Sequence, residues 1–159
     1  MLKGIIKVLM MDVDGTMTDG TLYYSNGGET DVMKGFSAKD GYGIKSLLIP
    51  AGIKPIILTA RESVIVTHRA ADLGVEHLYQ SVRDKAVVVH SIMDKFGVGE
   101  EAIAYIGDDI NDLPAMEIAG LTFAPADAAP DVLGYVDVVL QSKGGRGAVR
   151  ECIDYILSH

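Results

Sequence analysis

The chain consists of short apolar runs separated by segments in which apolar residues recur with helical spacing. Nearly unbroken apolar runs of strand length are typical of buried strands. They occupy residues 5–11, 54–60, 77–81, 102–109, 121–126 and 136–140. Helical spacing predicts helices from Asp40 to Leu48, Ser63 to Leu73, Lys85 to Phe96, Asp112 to Ala119 and Ala148 to Leu157.

This alternation of buried strands and helices indicates a Rossmann-like three-layer α/β/α sandwich with a mainly parallel sheet. Right-handed crossovers place the carboxyl ends of all its parallel strands at one edge. In open sheets of this type, ligands bind at that edge. We therefore expect functional side chains directly after the strands.

The segment between the first strand and the first helix has a different pattern. It is rich in glycine, and "NGG" at 26–28 separates Leu22–Ser25 from Thr30–Phe36. An Asn-Gly pair between two such runs is a strong hairpin signal. The sequence therefore predicts a small β-hairpin flap over about residues 20–38, inserted after the first strand.

Composition and charge limit the classes of partner. The 159 residues are 48% hydrophobic and 23% charged, which suits one domain over 1–159 with a full core. The net charge of −8 disfavours nonspecific binding to nucleic acid or to an anionic membrane. The negative net charge does not exclude an anionic substrate, because a bound divalent cation makes the local charge of a pocket positive.

Cysteine usage and the N-terminal pattern predict a cytoplasmic protein. Cys152 is the single cysteine, so an internal disulfide is impossible and a reducing compartment is expected. Its apolar neighbours at helical spacing predict a buried thiol. The N-terminus has no signal-peptide cleavage site, and no apolar stretch reaches the ~20 residues of a membrane span.

The predicted strands end on residues that carry chemistry. These residues are Asp12, Asp14, Thr59, Arg61, Asp108, Asp109, Asn111 and Asp112, and Lys85 begins a helix on the same side. Clustered carboxylates raise each other's pKa unless a cation lies among them. Oxygen ligands without histidine or cysteine select a hard ion, so the sequence predicts a Mg²⁺ site.

The pair "DVD" suggests how such a site would act. A carboxylate fixed beside Mg²⁺ can attack phosphorus and form an aspartyl phosphate. Asp14 could protonate the leaving alkoxide and then activate water. The Thr59 hydroxyl and the Lys85 ammonium are suitable donors to the transferring phosphoryl group.

These residues resemble a known family. Together, "DVDGT", "LTA", Lys85 and "GDDINDLP" resemble the four motifs of the haloacid dehalogenase superfamily of phosphatases. The resemblance implies that Asp12 is the nucleophile and Asp14 the acid/base. It further implies that Asp12, the Asp14 backbone carbonyl and Asp108 bind Mg²⁺. It also implies that Thr59 and Lys85 bind phosphate, and that Asp109 and Asp112 hold metal-bound waters.

The short interval after the first motif is similar to that of capless members, without a large cap domain. "KDGYGIKSLL", "TARES", "HLYQSVRDK" and "GGRGAVRE" resemble the 3-deoxy-D-manno-octulosonate (KDO) 8-phosphate phosphatase group. This resemblance implies a homotetramer in which flaps pack together and a neighbouring subunit completes each site. Ala60 stands where the group usually has Gly, and we expect a small effect.

Arg61, Arg69 and Arg146 are the candidate substrate-binding residues, although each alone is equally typical of a surface salt bridge. A guanidinium binds a sugar-acid carboxylate through paired hydrogen bonds. Within the resembling group, Arg at the position of Arg61 accompanies octulosonate 8-phosphate. Relatives acting on nonulosonate 9-phosphates tend to have Glu there, and such a sugar (KDN or sialic acid) 9-phosphate is the alternative substrate.

Two non-enzymatic alternatives share part of this pattern. A phosphoacceptor receiver domain also places acids, Thr and Lys around Mg²⁺, but its acidic pair precedes its lysine, whereas "GDD" follows Lys85. A noncatalytic assembly domain of the same fold is disfavoured because both Asp12 and Asp14 are present. Phosphate release from a sugar phosphate distinguishes the enzyme from both.

Overall fold

The computed structural model describes residues 2–28 and 31–159. Its strands are β1 (Val8–Met11), β2 (Lys54–Leu58), β3 (His77–Tyr79), β4 (Ile103–Ile106), β5 (Leu121–Ala124) and β6 (Val138–Val139). Its α-helices are α1 (Leu2–Ile5), α2 (Ala38–Tyr42), α3 (Val64–Leu73), α4 (Lys85–Phe96), α5 (Leu113–Met116), α6 (Pro130–Leu133) and α7 (Ala148–Ser158). Wider helical turns continue α2 through Gly43–Leu48.

The strands form one sheet in the order β3-β2-β1-β4-β5-β6, and every neighbouring pair is parallel. The predicted parallel α/β fold is therefore confirmed. Met11 at the end of β1 lies beside Ile57 of β2 and Ile106 of β4. This register brings the residues that follow these strands to one place.

The two faces of the sheet bury separate apolar layers, because successive strand side chains point to opposite sides. Leu9 and Met11 pack on one face with residues of α3 and α7. Val8 and Met10 pack on the other with residues of α4, α5 and α6. Both layers are closely packed, so the sheet provides a rigid support for the groups at its edge.

Cys152 lies fully buried in the first of these layers, as its helical spacing predicts. Burial is the largest cause that raises the pKa of its thiol well above the ordinary value. The thiol therefore acts as a packing group rather than a nucleophile. Within the part of the chain described, no helix combines the length and apolar character needed to cross a membrane.

Three predicted elements differ from the structure. The apolar run from Ile5 is divided into the short helix α1 and β1, and the predicted helix from Asp112 is a 3-10 turn, Ile110–Asp112, followed by α5. The helix α6 was missed, because Pro130 begins only one short turn. Such short turns give no periodic pattern long enough to detect.

The predicted hairpin is the third predicted element that differs. The reverse turn forms, with Gly28 N donating to Ser25 O at 3.1 Å, and Tyr24 makes a single bridge. Residues 31–37 form no strand, and Thr30 lies outside the described residues. A two-stranded hairpin without a partner surface is marginal, which explains why this segment is irregular in a single chain.

Candidate active site

Residues from the ends of β1, β2 and β4 surround one cleft of about 170 Å³. Its lining residues are Asp12, Asp14, Thr59, Ala60, Arg61, Asp108, Asp109 and Asn111. The sequence places these residues up to about a hundred positions apart, and parallel pairing brings them together. The cleft is small and polar, which suits a phosphate group and a cation rather than an apolar ligand.

The loop after β1 turns sharply enough to place Asp12 and Asp14 in different surroundings. Gly15 has φ 93°, a conformation that favours glycine, and a Cβ there would collide with the Asp108 carboxylate. The Thr18 hydroxyl accepts hydrogen bonds from Gly15 N at 3.3 Å and Gly20 N at 3.2 Å. The glycine therefore permits the close approach of the β1 and β4 loops.

A buried hydrogen-bond network lies at the base of the cleft. The Lys85 ammonium donates to Asp12 Oδ1 at 2.7 Å and to Asp112 Oδ1 at 2.6 Å, and Tyr105 Oη donates to the same Asp112 oxygen at 2.7 Å. Burial opposes charge on Lys85, but the Asp12 and Asp112 carboxylates raise its pKa above the ordinary value. We call Asp12, Lys85, Tyr105 and Asp112 the buried network.

Asp112 organises the β4 loop as well. Its Oδ2 accepts hydrogen bonds from Asp108 N at 2.9 Å and Asp109 N at 3.2 Å. Because Asp112 also accepts from Lys85 and Tyr105, most of its lone pairs are engaged by protein donors. Asp109 is exposed, and its Oδ1 caps the following turn by accepting from Ile110 N at 2.8 Å.

The acidic residues fit a hard cation. Carboxylate oxygens of Asp12, Asp108 and Asp112 lie within 4.8 Å of one another. Burial, followed by repulsion from Asp112, raises the pKa of Asp12 well above its ordinary value and that of Asp108 to about 6. A divalent cation among these oxygens would relieve the repulsion, and an all-oxygen donor set suits Mg²⁺.

Asp12 and Asp108 are the carboxylates best placed to bind that cation, because protein donors already engage Asp112. Asp14 belongs to no such carboxylate group among the described residues. This arrangement is compatible with two expectations from the sequence. Asp14 would contribute its backbone carbonyl, and Asp112 would hold metal-bound waters.

The phosphate-binding candidates have different surroundings. Thr59 is buried at the end of β2, and its hydroxyl accepts a hydrogen bond from Arg61 N at 3.3 Å. Ala60 lines the cleft beside it with φ outside the left-handed region, so its methyl group imposes no backbone strain. Lys85 reaches Asp12 from beneath the cleft.

Sequence reasoning missed the partners of Asp14. Lys34 Nζ lies 2.5 Å from Asp14 Oδ1 and 3.1 Å from Asp31 Oδ1. Burial opposes the effect, but the hydrogen bond with Lys34 lowers the pKa of Asp31. Lys34 and Asp31 lie in the irregular part of the flap, where no periodicity singles out a particular side chain. Tyr105 was also missed, because a tyrosine within an apolar strand has the pattern of a core residue.

The three candidate arginines lie in different places. Arg61 lines the cleft, and its Nη2 donates to Asp31 Oδ2 at 3.2 Å. Arg69 lies elsewhere: its Nη2 donates to Ser37 O at 3.3 Å, and its guanidinium lies over the Phe36 ring at 5.4 Å. These contacts give Arg69 a structural role in securing the end of the flap.

Arg146 is exposed, and its Nη2 lies 3.8 Å from Asp19 Oδ2. The small glycines beside it would allow a ligand to approach closely. In the structure Gly144 and Gly145 instead pack against the backbone of Gly15 and Thr18, where a Cβ would collide. The "GGRG" loop therefore supports the loop that carries Asp12 and Asp14.

Comparison with known proteins gives a consistent picture. A family model described as haloacid dehalogenase-like hydrolase matches residues 74–153. The chain is 42% identical over 152 residues to 3-deoxy-D-manno-octulosonate 8-phosphate phosphatase KdsC of Escherichia coli K12, covering 96% of this chain and 79% of that protein.

Two crystal structures extend the similarity to the fold. The phosphatase of the same name from Yersinia pestis has a TM-score of 0.93 and 44% identity, with 99% of this chain and 83% of that chain covered. The Moraxella catarrhalis phosphatase, solved with a magnesium ion, a phosphate ion and KDO, has a TM-score of 0.92 and 35% identity, with 99% and 88% covered.

Proposed function

The chain belongs to the haloacid dehalogenase-like hydrolases, and from this membership we propose that it is a Mg²⁺-dependent phosphatase of 3-deoxy-D-manno-octulosonate 8-phosphate. The observation that carries the proposal is the Asp12 carboxylate, fixed at the end of β1 between Lys85 and Asp108 in a cleft of phosphate size. The relatives of the same name supply the substrate class.

In the proposed reaction Asp12 is the nucleophile. A carboxylate oxygen of Asp12 forms a bond to phosphorus while the ester bond between phosphorus and the sugar oxygen breaks. Asp14 gives its proton to the departing sugar oxygen. Asp14 then takes a proton from water as that water attacks phosphorus, which releases inorganic phosphate and regenerates Asp12.

The remaining residues position the reacting groups and neutralise their negative charge. Lys85 fixes the orientation of the Asp12 carboxylate and offsets its negative charge. We assign the Thr59 hydroxyl as a donor to a phosphoryl oxygen. When bound by Asp12, Asp108 and the Asp14 backbone carbonyl, Mg²⁺ neutralises the phosphoryl charge.

Arg61 is the residue that we propose to bind the carboxylate of the sugar acid. It lines the same cleft as the nucleophile and already pairs with a carboxylate, that of Asp31. The carboxylate of an octulosonate is a suitable replacement partner. The alternative is a nonulosonate 9-phosphate, which has the same acidic group and differs little at the reacting end.

The direct test is phosphate release from a panel of sugar phosphates, with Mg²⁺ and with EDTA. We expect highest kcat/KM on octulosonate 8-phosphate, loss of turnover in EDTA and recovery when Mg²⁺ is added back. Higher kcat/KM on a nonulosonate 9-phosphate would establish the alternative substrate. Full activity in the chelator, or release from no substrate, would refute the proposal.

We also propose that the protein is a homotetramer assembled through the flap. The flap exposes apolar side chains that a monomer would leave in water: Leu22 (38%), Tyr23 (39%), Tyr24 (63%), Val32 (49%) and Met33 (55%). Such a patch is typical of an interface, and closed symmetry is its usual outcome. A fully active monomer in sedimentation at micromolar concentration would contradict this.

A cytoplasmic location stays a prediction.

A further inference from the structure

Four charged side chains form a closed ring at the mouth of the cleft. Lys34 Nζ lies 2.5 Å from Asp14 Oδ1 and 3.1 Å from Asp31 Oδ1. Asp31 Oδ2 lies 3.2 Å from Arg61 Nη2, and Arg61 Nε lies 3.9 Å from Asp14 Oδ2. Opposite charges alternate around this ring, which we call the charge ring. It joins the flap to the loops after β1 and β2.

The two flap members of the charge ring are more sheltered than the two cleft members. The side chains of Lys34 and Asp31 are 2% and 8% exposed, whereas those of Asp14 and Arg61 are 20% and 36% exposed. Sheltered charge-assisted hydrogen bonds are short and hold their partners firmly. An irregular segment therefore presents a well-fixed ammonium to Asp14.

We propose that Lys34 is a positioning residue for Asp14, which it orients for proton transfer to the departing sugar oxygen. This inference rests on the proposed function. The Lys34 ammonium engages Asp14 Oδ1, whereas Oδ2 has only the more distant Arg61 Nε at 3.9 Å and is the oxygen that exchanges the proton. As the bond from Asp12 to phosphorus forms and the ester bond breaks, that proton moves to the leaving oxygen.

Asp31 completes the arrangement by holding Lys34 from the other side. Without a second carboxylate, a lysine side chain with several rotatable bonds would hold Asp14 less firmly. Asp31 also orients Arg61, so the same flap residue connects proton transfer with the site of the substrate's carboxylate. Lys34 itself does not line the cleft among the described residues, and so it acts through Asp14.

The test uses the dependence of rate on the leaving group. Protonation matters most when the departing oxygen is strongly basic, as in an alkyl phosphate, and hardly at all for 4-nitrophenolate. The kcat/KM of the parent and of Lys34→Met is measured on a series of substituted phenyl phosphates and on glycerol phosphate, none of which carries a carboxylate. Melting temperature is measured alongside.

We expect Lys34→Met to lose kcat/KM about tenfold or more on glycerol phosphate and only slightly on 4-nitrophenyl phosphate, which is part of the 10²–10⁴ that general acids contribute. The plot of log kcat/KM against leaving-group basicity should become steeper. Lys34→Arg keeps the charge and should restore part of the difference. It also serves as the second variant if Lys34→Met folds poorly. Asp31→Asn should steepen the plot less.

Lys39→Met is the matched control, since Lys39 is an exposed lysine on α2. Its plot should coincide with that of the parent. An equal loss across the series for Lys34→Met would indicate a structural role, and a loss confined to sugar acids would indicate a substrate ligand. Either result overturns the inference while the proposed function stands. A parent inactive on every ester overturns both.

Discussion

At the base of the cleft, Lys85 and Asp112 are fully buried and hydrogen-bonded to neighbours on the strands and helices, whereas on the flap side Asp31 and Lys34 lie on an irregular segment. Both regions place a lysine between two aspartates. In the buried network the sheet and α4 fix the lysine. In the charge ring the described contacts that hold the lysine are its ion pairs with Asp14 and Asp31.

This difference suggests a division of roles. A group that must attack phosphorus needs a rigid position, which the packed sheet supplies. Groups that choose a substrate and exchange protons must leave room for the sugar, and loop segments held on a rigid scaffold commonly carry such groups. Changes in the buried network should therefore remove chemistry or lower stability, and changes on the flap side should alter the efficiency of the reaction.

The largest expected effect tests this division at the nucleophile. Asp12→Asn should lower kcat below detection, because an amide does not attack phosphorus. Asp14→Asn should slow turnover and leave residual activity, since its backbone carbonyl is retained. Phosphate release from the sugar acid phosphate measures both. Parent-like activity of Asp12→Asn would refute its assignment as nucleophile.

A smaller effect is expected at Arg61. Losing one charged partner costs about 1.5–3 kcal/mol, so Arg61→Ala should lower kcat/KM roughly ten- to a hundredfold on the sugar acid phosphate. 4-Nitrophenyl phosphate, which has no carboxylate, should be hydrolysed nearly as before. Equal loss on both substrates would mean that Arg61 serves the phosphate or the fold.

Arg146→Ala and Arg69→Ala complete that comparison. A loss on the sugar acid alone would support Arg146 as a substrate residue, supplied within its own chain or to a neighbouring subunit. For Arg69 we expect a lower melting temperature, because its contacts are with Ser37 and Phe36. A selective loss on the sugar acid would restore the prediction that Arg69 binds substrate.

In the buried network, Tyr105→Phe should lower stability rather than specificity. It removes one donor to Asp112 and leaves the Lys85 ammonium and the backbone donors in place. A lost hydrogen bond to a charged group corresponds to about 1.5 kcal/mol or somewhat more in unfolding free energy. Urea unfolding measures this loss of unfolding free energy, with Tyr135→Phe, a change at an exposed tyrosine, as control. An unchanged midpoint would show that Asp112 does not need this donor.

The last effect depends on pH and concerns Asp40, a buried carboxylate of α2 just beyond the flap. Its Oδ1 accepts from Arg150 N at 2.8 Å, yet burial raises its pKa to about 6. The folded state therefore retains a proton that the unfolded state releases, and this contribution to stability is lost as pH rises from about 4 to 6.

Asp40→Asn should remove that dependence. The difference in unfolding free energy between the variant and the parent should move in favour of the variant as pH rises through this window, by on the order of 2 kcal/mol. Urea unfolding at several pH values checks it, and the exposed Asp72→Asn should show no such trend. A constant difference across the window would contradict the raised pKa.

The sequence by itself determined the parallel sheet and the residues at its edge. Buried parallel strands leave a run of apolar residues with no polar alternation, and such a pattern survives in the linear order. Asp12, Thr59 and Asp108 were predicted to meet because the ends of parallel strands share one edge. Motif spacing then indicated their chemistry.

The tertiary structure decided which polar groups pair with one another. The contacts between Tyr105 and Asp112 and between Lys34 and Asp14 join side chains at no regular spacing. The described residues of the flap before α2 form no helix or strand from which its geometry could be predicted. The glycines of "GGRG" illustrate the same limit: their small size was evident, but whether a ligand or the Gly15 backbone fills that space depends on packing. Local patterns encode elements, whereas contacts between distant loops arise only when the whole sheet brings them together.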